Sequence, residues 1–244
     1  MARAAVFLCA LAGVGCADNP YVIGSNADAG LDECAQVYAE SVVCADFEQA
    51  DAAVAFDAIE SSGGEIGQST ARARHGSGSL RAATAAAMSY AIAVETFEPL
   101  RAGDLYFRAN LYVPSGLATE TMNVFFVGAE PTPDPFQGVD FNFQDGAVQT
   151  FSPQSDPVRQ TGTLLIPRDR WFCYRAHVAI SDDAGFVQVF VDDELALDAQ
   201  DIDTLPEDGV KQFRAGVDWS SEQASEFEIF LDDVVLDTAP VACR

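Results

Sequence analysis

The sequence predicts an all-β protein that folds as an antiparallel β-sandwich or jelly roll. About a dozen short segments alternate apolar and polar residues with the period of a strand, and residues typical of turns separate them. The 17 Phe residues favour strands, and a hydrophobic content of 49% is sufficient for a large core. No segment has the clean apolar stripe of an amphipathic helix. We expect one domain over residues 41–244.

The clearest element is a hairpin within residues 171–199. Its first strand alternates apolar and more polar residues from Phe172 to Ile180, and a turn follows at residues 181–185. The alternation resumes from Phe186 to Val191, and a second tight turn is predicted at residues 192–194.

The remaining strands are predicted in chain order from the same alternation. The segment at residues 105–113 turns Leu105 and its alternate neighbours inward, which leaves Tyr106, Arg108, Asn110 and Tyr112 on a polar, aromatic face.

Residues 82–93 are rich in alanine, but we expect strand or loop there. Residues 130–137 are predicted to be a loop. The other predicted strands lie at about residues 42–48, 79–82, 123–127, 139–143, 147–151, 164–167, 213–217 and 227–236.

The N-terminus has the features of an export signal. Residues 1–15 carry one early charge, Arg3, before an apolar run that is too short to anchor in a bilayer. The end of the run, from Gly13 to Cys16, resembles the lipobox of bacterial lipoproteins, although Gly13 replaces the usual leucine. We expect lipidation at Cys16 and a flexible tether over residues 16–40, and the alternative is ordinary signal cleavage. The protein is therefore expected at the outer membrane or cell surface, or otherwise in the periplasm or medium.

Four cysteines lie outside the leader, which is consistent with disulfides in an exported protein. Four cysteines allow three connectivities. We favour Cys34 with Cys44 and Cys173 with Cys243, and the competing pairing joins Cys44 to Cys243. No spacing typical of a zinc site is present.

The charge excludes some classes of partner. The formal net charge is −25, and Lys211 is the only lysine. Nucleic acids and anionic membranes require clustered basic residues, so neither is an expected partner, and contact with a membrane is expected only through the lipid anchor. Surplus carboxylates could attract Ca²⁺. We expect a monomer.

Four short motifs together resemble the concanavalin A-like jelly rolls, a superfamily that includes LamG-like lectins, glucanases and polysaccharide lyases. The resemblance covers about residues 41–243. The motifs are Asp46-Phe47-Glu48, the stretch from His75 to Leu80, the W-x-C strand that leads into the hairpin, and Phe230-Leu231-Asp232-Asp233-Val234.

The resemblance implies a concave sheet whose outward side chains line a groove for glycan. The candidates are the polar residues on strand faces, because planar hydrogen-bonding groups and aromatic rings suit sugars. These candidates are Tyr106, Arg108, Asn110, Tyr112, Asp140, Asn142, Arg175 and His177.

The resemblance also raises the question of catalysis. Residues 212–219 resemble the Y-F-K-A-G-V-Y-N-Q strand of jelly-roll alginate lyases, but Asp218 stands at the position of the proton-exchanging tyrosine. The R-x-E-x-R and Q-I-H signatures are not recognisable, although Arg108 and His177 could supply a cation and a base. The E-x-D-x-E strand of glucanases is absent. We therefore expect no catalytic residues.

Carbohydrate-binding jelly rolls often hold a structural Ca²⁺ between an early strand and a late strand. Glu48 and Asp233 match those positions, with Asp46 and Asp232 as neighbours. The sequence thus predicts a non-catalytic domain that binds glycan or a cell-surface partner. The alternatives are a polysaccharide lyase or glycoside hydrolase of the same fold, and a structural protein of the cell envelope.

Overall fold

The structure is a computed structural model that describes residues 34, 37–48, 55–85, 88–115, 121–129, 137–154, 157–220 and 226–244. The predicted signal peptide, the lipidation site Cys16 and most of the predicted tether lie outside these residues. The described chain forms strands β1 (Val43–Ala45), β2 (Ala58–Ser62), β3 (Gly64–Ser69), β4 (Ser79–Thr84), β5 (Tyr90–Leu100), β6 (Gly103–Tyr112), β7 (Met122–Gly128), β8 (Gly138–Gln144), β9 (Ala147–Ser152), β10 (Val158–Leu165), β11 (Trp171–Ile180), β12 (Gly185–Val191), β13 (Glu194–Ile202), β14 (Val210–Ser220) and β15 (Phe227–Asp237).

The strands form two antiparallel sheets. In sheet A the order is β13-β12-β11-β6-β15-β4-β3, with β1 paired to β15. In sheet B the order is β10-β9-β8-β7-β14-β5-β2. Each sheet combines a run of consecutive strands, β11 to β13 in sheet A and β7 to β10 in sheet B, with strands that are distant in sequence. The chain therefore crosses repeatedly between the two layers of a jelly roll. The predicted all-β antiparallel sandwich is confirmed.

The core lies between the inner faces of the two sheets, where the alternation turns every second side chain inward. The ring of Phe107 from sheet A contacts Phe125, Phe141 and Phe213 from sheet B, with centroids 5.0 to 5.3 Å apart. Tyr174 is fully buried beside them, and burial raises the pKa of its hydroxyl.

The hairpin predicted from the sequence is β11 and β12, paired from Tyr174 opposite Val191 to Ala179 opposite Phe186. The second predicted turn continues it into β13. Asp192 and Asp193 both have positive φ angles, of 50° and 65°, which match the tight turns that favour the twist of paired strands.

One predicted strand has different bounds in the structure. The strand expected at residues 164–167 begins earlier, at Val158, because β10 pairs with β9 along most of its length. The alanine-rich segment contributes to two strands, β4 and β5, which confirms the preference for strand over helix. The loop predicted at 130–137 falls almost entirely outside the described residues.

Both favoured disulfides are present, Cys34–Cys44 and Cys173–Cys243. The second disulfide fastens the C-terminal segment, residues 238–244, to the outer face of β11. The guanidinium of Arg108 donates a hydrogen bond to the carbonyl of Ala242 (2.7 Å), which holds the same segment against β6. Within the described chain, no helix has the length and apolar character needed to span a membrane.

Candidate functional site

The eight predicted glycan-binding residues divide between the two outer faces of the sandwich. Asp140 and Asn142 lie on β8 and point outward from sheet B, because Val139 and Phe141 point into the core. The other six lie on β6 and β11, on the outer face of sheet A. The two faces are separated by the core, so the eight residues do not form a single groove.

Arg108 and Asn110 have structural partners on sheet A. Arg108 is 1% exposed beneath the C-terminal segment, and its guanidinium lies 5.2 Å from the ring of Tyr38. Asn110 is 3% exposed and donates a hydrogen bond to Asp233 (2.8 Å). A glycan on this face could not reach Arg108 without displacement of the terminal segment.

Tyr106 and His177 face each other across the β6–β11 pair. Their rings are stacked with centroids 4.1 Å apart, and the ring of Phe186 meets His177 edge-on. His177 also forms a 2.7 Å contact with the carboxylate of Asp104. These four side chains thus form a closed cluster on sheet A.

Tyr112 and Arg175 are likewise held by their neighbours on sheet A. The ring of Tyr112 packs edge-on against Trp171 and lies 4.0 Å from the guanidinium of Arg72. The guanidinium of Arg175 lies over the ring of Phe190 at 4.4 Å.

The outer face of sheet B carries a connected set of polar side chains across neighbouring strands. At its centre, Asn123 of β7 donates a 2.6 Å hydrogen bond to the carboxylate of Asp140 of β8. Asn142 lies opposite Asn123 on one side and Gln149 of β9 on the other. Asp140 is 9% exposed and the other three are 4% exposed or less, although all four point away from the core.

The set continues toward the edge strand β10. Arg159 donates a 2.8 Å hydrogen bond to Gln149, and Gln149 donates to the hydroxyl of Thr161 (2.9 Å). The guanidinium of Arg159 also lies over the ring of Phe151, 4.4 Å from its centre. A cation on an aromatic ring is therefore present at this end of the face.

An equivalent arrangement occurs on β14. Arg214 donates hydrogen bonds to Gln212 (2.8 Å) and to both carboxylate oxygens of Asp218 (3.2 Å each). Its guanidinium lies 4.8 Å from the ring of Phe126 on β7. Asp218, the residue that the motif resemblance aligns with a lyase tyrosine, is bound by Arg214 in this structure.

The pKa values of the two acids of this face are raised. Burial raises the pKa of Asp140 to about 7, and the negative charge of Asp218 adds to the effect. The hydrogen bond from Asn123 and the charges of Arg214 and Arg159 oppose it. Burial also raises the pKa of Asp218 above its usual value, because the effect of burial exceeds the opposing effect of Arg214.

We call this set the polar row. It extends over five neighbouring strands of sheet B, which lie in the order β10-β9-β8-β7-β14. Asp140 and Asn142 were identified from the sequence, but Asn123 and Arg159 were missed, even though the period of two already places Arg159 beside Thr161 on one face. The polar row comprises Asn123, Asp140, Asn142, Gln149, Arg159, Arg214 and Asp218.

The predicted calcium ligands lie on either side of the loop over residues 72–78. The carboxylate of Glu48 accepts hydrogen bonds from the backbone N–H groups of Ser77 (2.9 Å) and Gly78 (3.1 Å). Partial burial raises the pKa of Glu48, but these hydrogen bonds outweigh it and hold the pKa below its usual value. On the other side, Asp233 contacts the Nδ1 atom of His75 at 2.6 Å.

Asp232 holds the same loop from within the protein. It is fully buried, and its carboxylate accepts hydrogen bonds from the backbone N–H groups of Arg74 (2.7 Å) and His75 (3.2 Å). Burial and the neighbouring charge of Asp233 raise its pKa to about 7. The described residues contain no group of three or more His, Cys, Asp or Glu side chains arranged to hold a metal. The carboxylates of Glu48 and Asp233 are hard oxygen ligands of the kind that Ca²⁺ prefers. The calcium site between them stays a prediction.

The comparisons with known proteins bear on the fold. No protein-family model matches the sequence, and no curated protein matches it. Among solved structures, an endo-β-1,4-glucuronan lyase from the fungus Trichoderma reesei superposes with a TM-score of 0.62 at 12% identity, over 75% of this chain and 91% of its own.

Two further solved structures are similar over most of their length. A cellulose-induced protein has a TM-score of 0.62 at 14% identity, over 83% of this chain and 100% of its own. An alginate lyase has a TM-score of 0.51 at 12% identity, over 82% of this chain and 98% of its own. Identities this low show the fold alone. The chain is therefore a β-sandwich jelly roll with the architecture that these carbohydrate-related proteins share.

Proposed function

We propose that the protein is a non-catalytic carbohydrate-binding domain whose binding surface is the outer face of sheet B. The observation that carries the proposal is the polar row, a set of amide, carboxylate and guanidinium groups on five adjacent strands. Sugars are recognised by planar hydrogen-bonding groups held in fixed positions. In the polar row the fixed positions come from the sheet and from the hydrogen bonds within the row.

The charge of this face favours a neutral glycan. Arg159 and Arg214 supply two positive charges, but Arg214 is already bound to Asp218, and Asp140 lies between them. The whole protein carries a formal net charge of −25, which repels a polyanion at long range. A neutral polysaccharide meets neither obstacle, and its hydroxyl groups can both donate to and accept from the row.

The same face supplies little of the machinery that a lyase of this fold would need. Both histidines lie on the side of sheet A, where His75 contacts Asp233 and His177 contacts Asp104. The lyase tyrosine is replaced by Asp218, and Arg214 engages that carboxylate. A base near the proton to be removed and a cation for the substrate carboxylate are both required.

One observation favours catalysis as a second candidate. Asp140 has a pKa near 7 and can therefore exchange a proton near neutral pH, as an acid or base in a hydrolase or lyase must. By alternation along β5, Tyr90 presents its hydroxyl on the same outer face, one strand from Asp218. If the protein is an enzyme, Asp140 is the residue that we expect to carry the proton.

A glycan array with the purified protein tests the binding proposal. We expect binding to neutral polysaccharide fragments, and we expect Gln149→Ala and Asn142→Ala each to weaken it about tenfold, the loss of one or two hydrogen bonds. Gln188→Ala is the matched control, because Gln188 is a polar residue of β12 on sheet A. Binding that is equally strong in all three variants would contradict the assignment of the face.

Catalysis is tested in parallel by ultraviolet detection of unsaturated products from uronate polymers and by release of reducing ends from neutral ones. Product formation that Asp140→Asn abolishes would replace the binding proposal with the enzymatic one. The absence of both binding and product would favour a cell-surface protein partner or a structural role in the envelope.

A further inference from the structure

A separate pocket of about 230 Å³ lies at one end of the outer face of sheet A. Its walls include the ring of Trp171, the side chains of Arg74 and Arg244, and the Cys173–Cys243 disulfide. We call it the arginine pocket. Because sheet A and sheet B have opposite outer faces, this pocket is independent of the polar row.

Covalent and hydrogen-bonded links hold the walls of the arginine pocket in place. The disulfide joins β11 to the C-terminal segment. The carboxylate of Asp192 accepts a hydrogen bond from the backbone N–H of Cys173 (3.0 Å), which fixes the turn between β12 and β13. The ring of Trp171 packs edge-on against Tyr112, with centroids 5.7 Å apart. The pocket is thus formed before any ligand arrives.

Several of the arginines of this acidic protein lie in or next to the arginine pocket. The chain has 38 acidic and 13 basic residues, and all the basic residues except Lys211 are arginines. Arg74 and Arg244 line the pocket. Arg170 and Arg175 pair with the two aspartates of its lining, and the guanidinium of Arg72 lies over the ring of Tyr112.

The two carboxylates in the lining have cations of their own. Asp192 forms an ion pair with Arg170 (2.8 Å), and Asp193 contacts Arg175 at 3.5 Å. Neither of these two arginines is part of the lining. By contrast, no hydrogen bond or ion pair joins the guanidinium of Arg74 to another residue in the part of the chain that the structure describes. The lining therefore retains positive charge that its own acids do not neutralise.

We propose that the arginine pocket binds a hydroxylated carboxylate of monosaccharide size, such as a sugar acid. The guanidinium of Arg74 receives the carboxylate, since this planar group binds carboxylates through two parallel hydrogen bonds. The ring of Trp171 offers apolar surface to the C–H face of the ligand, and Asp193 accepts from its hydroxyl groups. The volume lies below the range of about 300 to 1,000 Å³ that is typical for drug-sized ligands, so one small unit is the right size.

The class of ligand follows from the lining as a whole. A bare inorganic anion would gain from Arg74 but would use neither the ring of Trp171 nor the free acceptor positions of Asp193, whose contact with Arg175 is 3.5 Å long. A neutral sugar would donate to Asp193 but would bring no carboxylate to the guanidinium of Arg74. A ligand with both a carboxylate and hydroxyl groups satisfies both requirements.

Nuclear magnetic resonance of the two tryptophan indole N–H groups provides the test. Trp171 and Trp219 give two signals, and Trp219→Phe assigns them, because Trp219 lies on β14 of sheet B. Glucuronate is the probe, with glucose and acetate as matched ligands that each lack one of its two features. We expect a saturable shift of the Trp171 signal with glucuronate that is at least about tenfold weaker with glucose or acetate.

Arg74→Gln should weaken the binding of glucuronate about tenfold or more, the loss of a charge-assisted contact. The fold should be retained, because Arg74 contributes its backbone N–H, not its side chain, to Asp232. Arg101→Gln removes one positive charge elsewhere, at an exposed residue that contacts Glu207, and should leave binding unchanged. The absence of a Trp171 shift, an equal response to acetate or glucose, or an unchanged affinity in Arg74→Gln would overturn the proposal.

Discussion

Asp140 shows how a position on the outward face of a strand can become a special residue. The alternation that points it away from the core is visible in the sequence, but its protonation depends on groups brought from other strands. Asn123 donates to it from β7, and the charges of Asp218, Arg214 and Arg159 surround it. Burial is the largest cause of its raised pKa, and burial is a property of the assembled sheet.

The raised pKa has a consequence for stability. The unfolded state of Asp140 loses its proton near the ordinary value of 3.8, whereas the folded state keeps it up to about pH 7. Unfolding therefore releases a proton between these pH values, and the contribution of Asp140 to stability falls as pH rises through this window. Above about pH 7 the buried carboxylate of Asp140 is ionised in the folded state, and its full cost to stability is present.

We expect Asp140→Asn to remove this pH dependence. Relative to the wild type, the variant should gain about 2 to 4 kcal/mol in free energy of unfolding between pH 4 and pH 8, because the amide cannot ionise and can still accept from Asn123. Urea denaturation at both pH values measures the change. Asp145→Asn, at an exposed turn next to β8, is the control and should track the wild type. Parallel behaviour of the two variants would show that Asp140 titrates normally.

At the scale of single elements, β14 is a strand that is constrained on both sides. It pairs with both β5 and β7, and its outward residues Arg214 and Asp218 belong to the polar row. Gly216 lies between them with a φ of 136°, a conformation that other residues rarely adopt. A Cβ atom there would lie 2.3 Å from the carbonyl oxygen of Ala91 on β5.

Gly216→Ala should therefore destabilise the protein by at least about 2 kcal/mol, since β5 or β14 must shift to admit the methyl group. Gly67→Ala is the matched control, because Gly67 lies in β3 and a Cβ atom there meets no atom within 4 Å. Chemical denaturation compares the two variants. Equal stability of both variants would mean that the sheet accommodates the methyl group without cost.

The C-terminal segment is a second constrained element, and two disulfides of different span hold the ends of the domain. Cys173–Cys243 closes a loop with a sequence separation of 70, whereas Cys34–Cys44 closes one with a separation of 10. A longer loop removes more conformational entropy from the unfolded chain. The long disulfide also positions the segment whose Ala242 carbonyl accepts from Arg108.

We expect the double variant Cys173→Ser/Cys243→Ser to lose about 3 to 5 kcal/mol of unfolding free energy, and Cys34→Ser/Cys44→Ser to lose less, about 2 to 3 kcal/mol. Denaturation of the two variants side by side, without reductant, provides the measurement. A larger loss from the short disulfide would contradict the order and would point to a greater structural role for the N-terminal loop.

At the scale of the whole molecule, charge is the dominant feature. A formal net charge of −25 lowers the stability of a compact chain through self-repulsion, and any cation relieves some of it by screening. A specific calcium site between Glu48 and Asp233 must therefore be distinguished from general screening by divalent ions.

If the calcium prediction holds, EGTA should lower the melting temperature of the purified protein, and added Ca²⁺ should restore it by about 5 °C more than the same concentration of Mg²⁺ does. Mg²⁺ has the same charge but demands a tighter octahedral site, so it serves as the control for screening. Differential scanning calorimetry measures both. Identical melting temperatures in EGTA, Ca²⁺ and Mg²⁺ would rule out the site.

The sequence by itself determined the fold class and most of the strands, whereas it favoured one pairing of the four cysteines and left a second one open, and the structure has the favoured pairing. It could determine the strands because the period of two along each strand is a local signal, and the hairpin at residues 171–199 contains its own turns. Only the tertiary structure decided which outward residues meet. Arg108 and Asn142 have the same polar pattern and both are buried, yet the first lies beneath the C-terminal segment on sheet A and the second lies between Asn123 and Gln149 on sheet B. The order of strands within each sheet brings distant residues together, and no local pattern encodes that order.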